Sequence, residues 1–169
     1  MVSLAGSEVT LKDGSRVLIR PIRPQDEKLL REAFRRLTPE SVYQRFFGSL
    51  RELPAQMARH LANVDYVQRL ALVAEHDNKA IGVARYEPTD DPGTAEVALA
   101  VLDAWQERGL GRILLREILR AAEENGIHRF RADVLSENAR MLRLLATEAD
   151  IQTRRTESGI TTFFFTRRG

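Results

Sequence analysis

The 169-residue chain has no cysteine, which excludes disulfides, thiolate metal sites and a cysteine nucleophile. No apolar run approaches the ~18 residues a membrane-spanning helix needs, so no membrane partner is expected. Residues Met1 to Glu8 offer neither a basic nor an apolar leader pattern, which argues against secretion and for the cytoplasm. Lysine is scarce: of 26 basic residues only Lys12, Lys28 and Lys79 are lysine, and the rest are arginine. Arginine can mark phosphate recognition. Here the arginines interleave with 24 acidic residues to a formal net charge of +2, so no nucleic-acid partner is expected. His60, His76 and His128 are scattered without ligand spacing, so no metal is expected. With 43% hydrophobic and 30% charged residues, no repeats and no low-complexity linker, one soluble domain over 1–169 is expected.

The apolar periodicity gives the element order βααβββαβαββ, hence a mixed α/β fold with one sheet flanked by helices. Residues 16–23 alternate with period two and end at prolines, as a first strand. Pro24 and Asp26 open a helix with apolar rows Leu29, Ala33, Leu37 and Leu30, Phe34. Thr38 reads as an N-cap with Pro39 at the first helical position, and Leu37 and Val42 as a staple. That short helix carries Tyr43, Phe46 and Phe47, and a weaker helical stretch covers 54–61. Strands at 69–74 and 80–86 turn at Asp77-Asn78-Lys79, and a third runs over 94–102. Residues 109–124 make the clearest helix, closed by a left-handed Gly126. A strand at 130–134, a helix at 138–147 and a hairpin (152–157, 160–166) turning at Ser158-Gly159 complete the chain.

Chemistry concentrates in 96–112, EVALAVLDAWQERGLGR. An apolar strand enters the loop Gln106-x-x-Gly109-x-Gly111, which opens the long helix. Free amides of a first helical turn point out of its positive end, and glycine lets a phosphate approach the backbone. Arg108 and Arg112 add positive charge, so the junction fits a diphosphate, although the same glycines could serve only to start the helix. The spacing is neither GxxxxGK[ST] nor GxGxxG, and the loop follows a late strand, unlike a dinucleotide-binding unit.

Gln106-x-x-Gly109-x-Gly111, after an apolar strand and before an amphipathic helix, resembles the acetyl-CoA signature of the GNAT family of N-acetyltransferases. Arg20-Pro21-Ile22-Arg23-Pro24-x-Asp26 is similar to that family's first strand and helix start, and Leu135-x-Glu137-Asn138-x-x-Met141-Leu142 to its later helix entrance. The segments RPIRPQD, LTPESVYQRFF, DYVQRLALVA, IGVARY, AEVALAV and WQERGLGR together resemble the acetyltransferase domain of bacterial protein lysine acetyltransferases. Larger members of that group add a cyclic-nucleotide-binding or an acyl-CoA-synthetase-like domain, for which 169 residues leave no room.

The resemblance implies a GNAT fold, a single mixed and mostly antiparallel sheet flanked by helices, with acetyl-CoA as co-substrate. It implies that the backbone of Leu99, Ala100 and Val101 bonds the pantetheine arm like an added strand. It places the pyrophosphate on the amides of Gln106, Glu107, Arg108, Gly109, Leu110, Gly111 and Arg112, with Asn138 near the thiol end. Glu96 falls where the lysine acetyltransferases carry their general base. The chemistry needs one, because an amine of pKa about 10.4 is protonated at neutral pH and cannot attack a thioester. Glu96 shares a strand face with the small Ala98 and Ala100. Taken alone it reads first as an ordinary edge or solvent-facing carboxylate; the motif ten residues on favours the base instead, and Glu87 is the fallback. Without cysteine a thioester ping-pong route is closed, leaving direct attack in a ternary complex. The expected acceptor is a protein lysine, with a small amine as alternative. A second alternative is a non-catalytic acyl-CoA sensor, and the chain is expected to be a monomer or homodimer.

Two features depart from the family pattern. The tyrosine acid of many members is replaced by Leu145, and their Gly-Phe pair after the last helix by Ala149-Asp150, which leaves the helix exit and strand register open. Asp65-Tyr66 suits either a substrate wall or packing; Phe163, Phe164 and Phe165 suit a core or edge strand, and Trp105 packing beneath the loop.

Overall fold

Eight strands pair into one sheet in the order β1-β2-β3-β4-β5-β6-β8-β7. They are β1 (Ser7–Thr10), β2 (Arg16–Pro21), β3 (Leu70–His76), β4 (Lys79–Pro88), β5 (Thr94–Val101), β6 (Arg129–Leu135), β7 (Ala149–Glu157) and β8 (Ile160–Arg167). All neighbours run antiparallel except β5 and β6. The helices are α1 (Glu27–Arg35), α2 (Pro39–Phe46), α3 (Ala55–Ala62), α4 (Leu110–Glu124) and α5 (Ala139–Glu148). The computed structural model describes residues 5–169; the expectation of no leader rests in part on residues 1–4, which lie outside them.

The expected mixed sheet is present, with one strand more than the sequence pattern gave. Strand β1 (SEVT) has a single apolar residue and lies at the exposed sheet edge, so neither alternation nor burial marks it. The three helices before β3 include the weak stretch at 54–61, observed as α3. The first strand stops at Pro21, two residues earlier than expected.

Period-two alternation in the strands builds two cores. One face of β3–β6 and β8 packs against α4, with Leu114, Leu115, Ile118, Ala121 and Ala122 buried against Leu72, Tyr86, Val97, Phe130 and Phe165. The other face carries Ile22, Ala71 and Val73 beneath α1–α3, which contribute Leu30, Phe34, Val42 and Ala58. Burying these side chains stabilises the fold by roughly 1.5–3 kcal/mol for each large one. Where β2 leaves the sheet, buried Arg20 donates to both carboxylate oxygens of Asp26 (2.8 and 3.0 Å) and through Nε to Glu75 (2.8 Å).

The predicted caps and turns form. Thr38 accepts from the Ser41 amide at 3.2 Å to cap α2. Asp77-Asn78 and Ser158-Gly159 are two-residue turns with positive φ at both positions, the twist a hairpin requires. At 148/149 no loop intervenes: α5 passes directly into β7, and a register shift between Ile151 and Thr153 absorbs the mismatch. Of the three phenylalanines of β8, Phe163 and Phe165 are buried and Phe164 is exposed.

Strands β5 and β6 stay paired for only three positions, Thr94↔Arg129, Ala95↔Phe130 and Glu96↔Arg131. Beyond Glu96 they diverge, while β5 keeps its ladder with β4 to Val101. The sheet therefore opens in its middle, on the side where β5 runs into the glycine loop.

Candidate active site

The opening between β5 and β6 is a cavity of about 470 Å³, within the range of small-molecule sites. Glu96, Leu99, Ala100, Val101, Gln106, Glu107, Gly109, Gly111, Arg112 and Asn138 all line it, so most expected site residues come together. Leu110 and Arg108 do not reach it with their side chains. Leu110 is buried in the α4 core, and Arg108 donates to Asp13 at 2.9 Å with its guanidinium 4.6 Å over the Trp105 ring. Trp105 thus packs under the loop, as expected.

The β5 edge is built to take a strand-like ligand. Leu102 N–H donates to Ile81 O at 2.9 Å, so even-numbered residues turn their peptide groups to β4. Leu99 and Val101 turn theirs toward the gap, beyond the point where the pairing with β6 ends. The Val101 carbonyl accepts from Gln106 Nε2 at 2.9 Å, which fastens the loop to the strand. Ala100 departs from expectation. Its carbonyl lies on the β4 side, 3.3 Å from the position of a Cβ on Gly82, and it meets the cavity through its methyl group.

The two glycines differ in purpose. Gly109 caps α4 with φ +88°, a conformation glycine adopts without strain. Gly111 has ordinary helical backbone, and a Cβ there would meet only Leu144 and Leu99 at 3.7 and 3.8 Å. Protein packing does not require glycine at 111; the space beside it opens into the cavity. With α4's first-turn amides free, this cradle fits a pyrophosphate. Arg112 lines it, and Arg112 and Arg116 both donate through Nε to Glu148. Asn138 caps α5, its side chain accepting from Met141 N–H at 3.2 Å.

Glu96 stands on the cavity wall half-buried and, among the described residues, without a hydrogen bond or ion pair. Burial pushes its carboxyl above the ordinary glutamate value, and the Asp133 carboxylate adds to this against Arg131 and Arg45. Glu87, the fallback base, is occupied instead: Arg69 grips both its oxygens (2.5 and 3.0 Å) and Arg85 stands at 3.5 Å. Burial pushes buried Arg85 down to about 10, and the neighbouring Arg45 adds to that.

Sequence reasoning missed part of the lining. From α2 come Ser41, Gln44, Arg45 and Phe46, with Phe47 at its C-cap; from β6 come Ala132, Asp133 and Val134; from α5 come Arg140, Met141 and Leu144. The paired aromatics at the end of α2 were a visible signal, but their direction depends on how α2 is fixed. Asp103, just after β5, accepts from the Thr38 amide and hydroxyl (3.1 and 3.0 Å) and the Ser41 hydroxyl (2.9 Å). Asp65 and Tyr66 are structural: Asp65 accepts from three successive amides, and Tyr66 donates to Ile22 O at 2.7 Å. Leu145 is fully buried, so no acid stands in the tyrosine's place. No helix among the described residues is long and apolar enough to cross a membrane.

Comparison with known proteins agrees with this geometry. The chain is 33% identical over 121 residues to Acetyltransferase PA5475 of Pseudomonas aeruginosa, covering 69% of this chain and 65% of that protein. It is 29% identical over 140 residues to Acetyltransferase Pat of Mycolicibacterium smegmatis, covering 81% and 42% respectively. The chain thus spans less than two thirds of the length of these curated relatives. The GNAT domain of S. lividans PAT superposes with a TM-score of 0.87 at 32% identity, covering 95% of this chain and 96% of that one. The acetyltransferase (GNAT) family matches residues 28–147, and the chain belongs to that family.

Proposed function

We infer that the chain transfers the acetyl group of acetyl-CoA directly to an amine, and that the acceptor is a protein lysine side chain. The observation that carries this reading is the unpaired, half-buried Glu96 on the wall of the cavity that ends in the glycine loop. The free edge of Leu99 and Val101 suits the amides of a pantetheine arm, and the loop from Gln106 to Arg112 its pyrophosphate. Asn138 stands on the opposite wall, from α5.

The proton is the first obstacle. A lysine ammonium entering the cavity loses its proton to Glu96, whose raised affinity for protons brings it nearer the amine. The free amine attacks the thioester carbonyl: a C–N bond forms, the C–S bond breaks and the thiolate leaves. A β5 amide facing the gap meets the developing oxyanion. A thiol of pKa near ~8.5 leaves without a strong acid, consistent with Leu145 where other members carry tyrosine. The lysine acceptor is supported by the close resemblance to protein lysine acetyltransferase domains.

Labelled acetyl-CoA and a host lysate test the reading, with wild type and Glu96→Gln compared. Label in discrete protein bands, falling by about 10²–10⁴-fold in E96Q while acetyl-CoA binding persists, is the expected result. Label confined to small molecules would overturn the lysine acceptor. Undiminished transfer by E96Q would overturn the base.

A further inference from the structure

Four charged groups face Glu96 closely, yet none pairs with it. Arg45 comes from α2, Glu87 from β4, and Arg131 and Asp133 from β6. On β4, Arg85 and the adjoining Arg69 are committed to Glu87, and Arg85 also donates to Leu61 O at 3.1 Å. Arg140 of α5 lines the same cavity. Arg131 is the cation best placed to capture Glu96, being its direct partner in the parallel register one strand away. Its guanidinium turns along β6 instead and donates to Asp133 through Nε at 3.3 Å and Nη2 at 3.2 Å. Asp133 is itself fixed by the Thr162 hydroxyl of β8, which donates to Oδ1 at 2.8 Å.

We propose that Asp133 is a positioning residue: by holding Arg131 along β6, with Thr162 as anchor, it keeps Glu96 free of an ion pair and able to accept a proton. The proposal rests on Glu96 as the base. A Glu96–Arg131 pair would cost activity twice. It would weaken the carboxylate as a base, and it would draw a guanidinium into the space an acceptor amine must enter.

The test titrates Glu96 directly, in the full chain labelled with ¹³C at the glutamate carboxyls, with E96Q assigning the resonance. In Asp133→Asn the released Arg131 pairs with Glu96, and the like charge is gone. Both changes act in one direction, so the Glu96 midpoint falls by about 1 or more on the pH scale. The acid limb of acetyl transfer moves to lower pH with it, and the rate on the alkaline plateau falls about tenfold. In the double variant R131Q/D133N the released guanidinium is gone and Arg45 stands as in wild type, so the rate recovers and the midpoint rises again from its D133N value, short only of the part owed to the lost like charge. A merely structural Asp133 would not be rescued in this way. An unmoved midpoint in D133N, or a double variant that stays low, overturns the proposal. Asp133→Ser, which keeps a partner for Thr162, replaces D133N should that variant not fold. The two readings fail separately. E96Q inactive with an unmoved D133N midpoint removes the positioning role alone, whereas an active E96Q removes the base and with it the catalytic meaning of Asp133.

Discussion

Replacing Gly111 by alanine pulls two measurable quantities in opposite directions. The added methyl meets Leu144 and Leu99 at ordinary contact distances, so the unliganded protein accommodates it. Alanine is the better helix former by up to about 1 kcal/mol in a helix interior. At the second residue of α4 about half of that is expected, which raises the melting temperature by about 1–2 °C for a chain of this size. The same methyl stands where a pyrophosphate must come against the first-turn amides. Losing one such charged hydrogen bond costs about 1.5–3 kcal/mol. The dissociation constant for acetyl-CoA then rises about 10- to 150-fold, at 1.4 kcal/mol per tenfold. Calorimetric titration measures the affinity, and a thermal melt of the unliganded protein measures the stability. Gly109→Ala is the control: with φ +88° it forces a side chain into left-handed backbone, at a cost of about 1–2 kcal/mol, and lowers the melting temperature. Unchanged affinity in G111A would falsify the placement of the pyrophosphate at this helix start. A lowered melting temperature would refute the packing argument.

The remaining predictions concern charge. Because Glu96 holds its proton more tightly folded than unfolded, wild-type stability is fullest below the unfolded value and falls as pH rises through the raised folded one. E96Q, a permanently neutral mimic, therefore melts higher than wild type at pH 7.5, and thermal melts should show the difference vanishing near about pH 4. Asp26→Asn leaves the buried Arg20 with Glu75 as its one remaining carboxylate. It should destabilise by about 3 kcal/mol in chemical denaturation, the lower end for breaking a buried pair. Burial opposes ionisation of Asp26, but the bonds from Arg20 and Arg23 outweigh it and hold its value low. Its stabilisation is therefore present above the unfolded value and lost as pH falls through the depressed one, and D26N should flatten that acid limb.

What was legible in the chain was what is local. The period of residues 109–124, the Thr38 cap and the two-residue turns are written in nearest neighbours, and all formed as read. The glycine loop was legible because its chemistry is backbone chemistry confined to six residues. Three other features depend on partners far away in sequence. Strand β1 exists by pairing with β2, although its own residues are polar. The walls from α2 and β6 reach the cavity because Asp103 fastens α2 and because β6 parts from β5. The choice between Glu96 and Glu87 could not be made from type or spacing. Arg69, 18 residues before Glu87, engages one carboxylate and leaves the other alone.

The parting of β5 and β6 has a consequence for solubility. A row of unsatisfied peptide groups on an outer strand is a template for pairing with other chains, and exposed edges invite aggregation. Here the row lies inside the sheet, between walls to which α2, β6 and α5 contribute. A slender chain with amides along it makes the same hydrogen-bonding demand as a strand. Placing the edge in the interior keeps it off the open rim of the sheet, where strands of other proteins pair, and leaves it to a ligand that hydrogen-bonds like a strand.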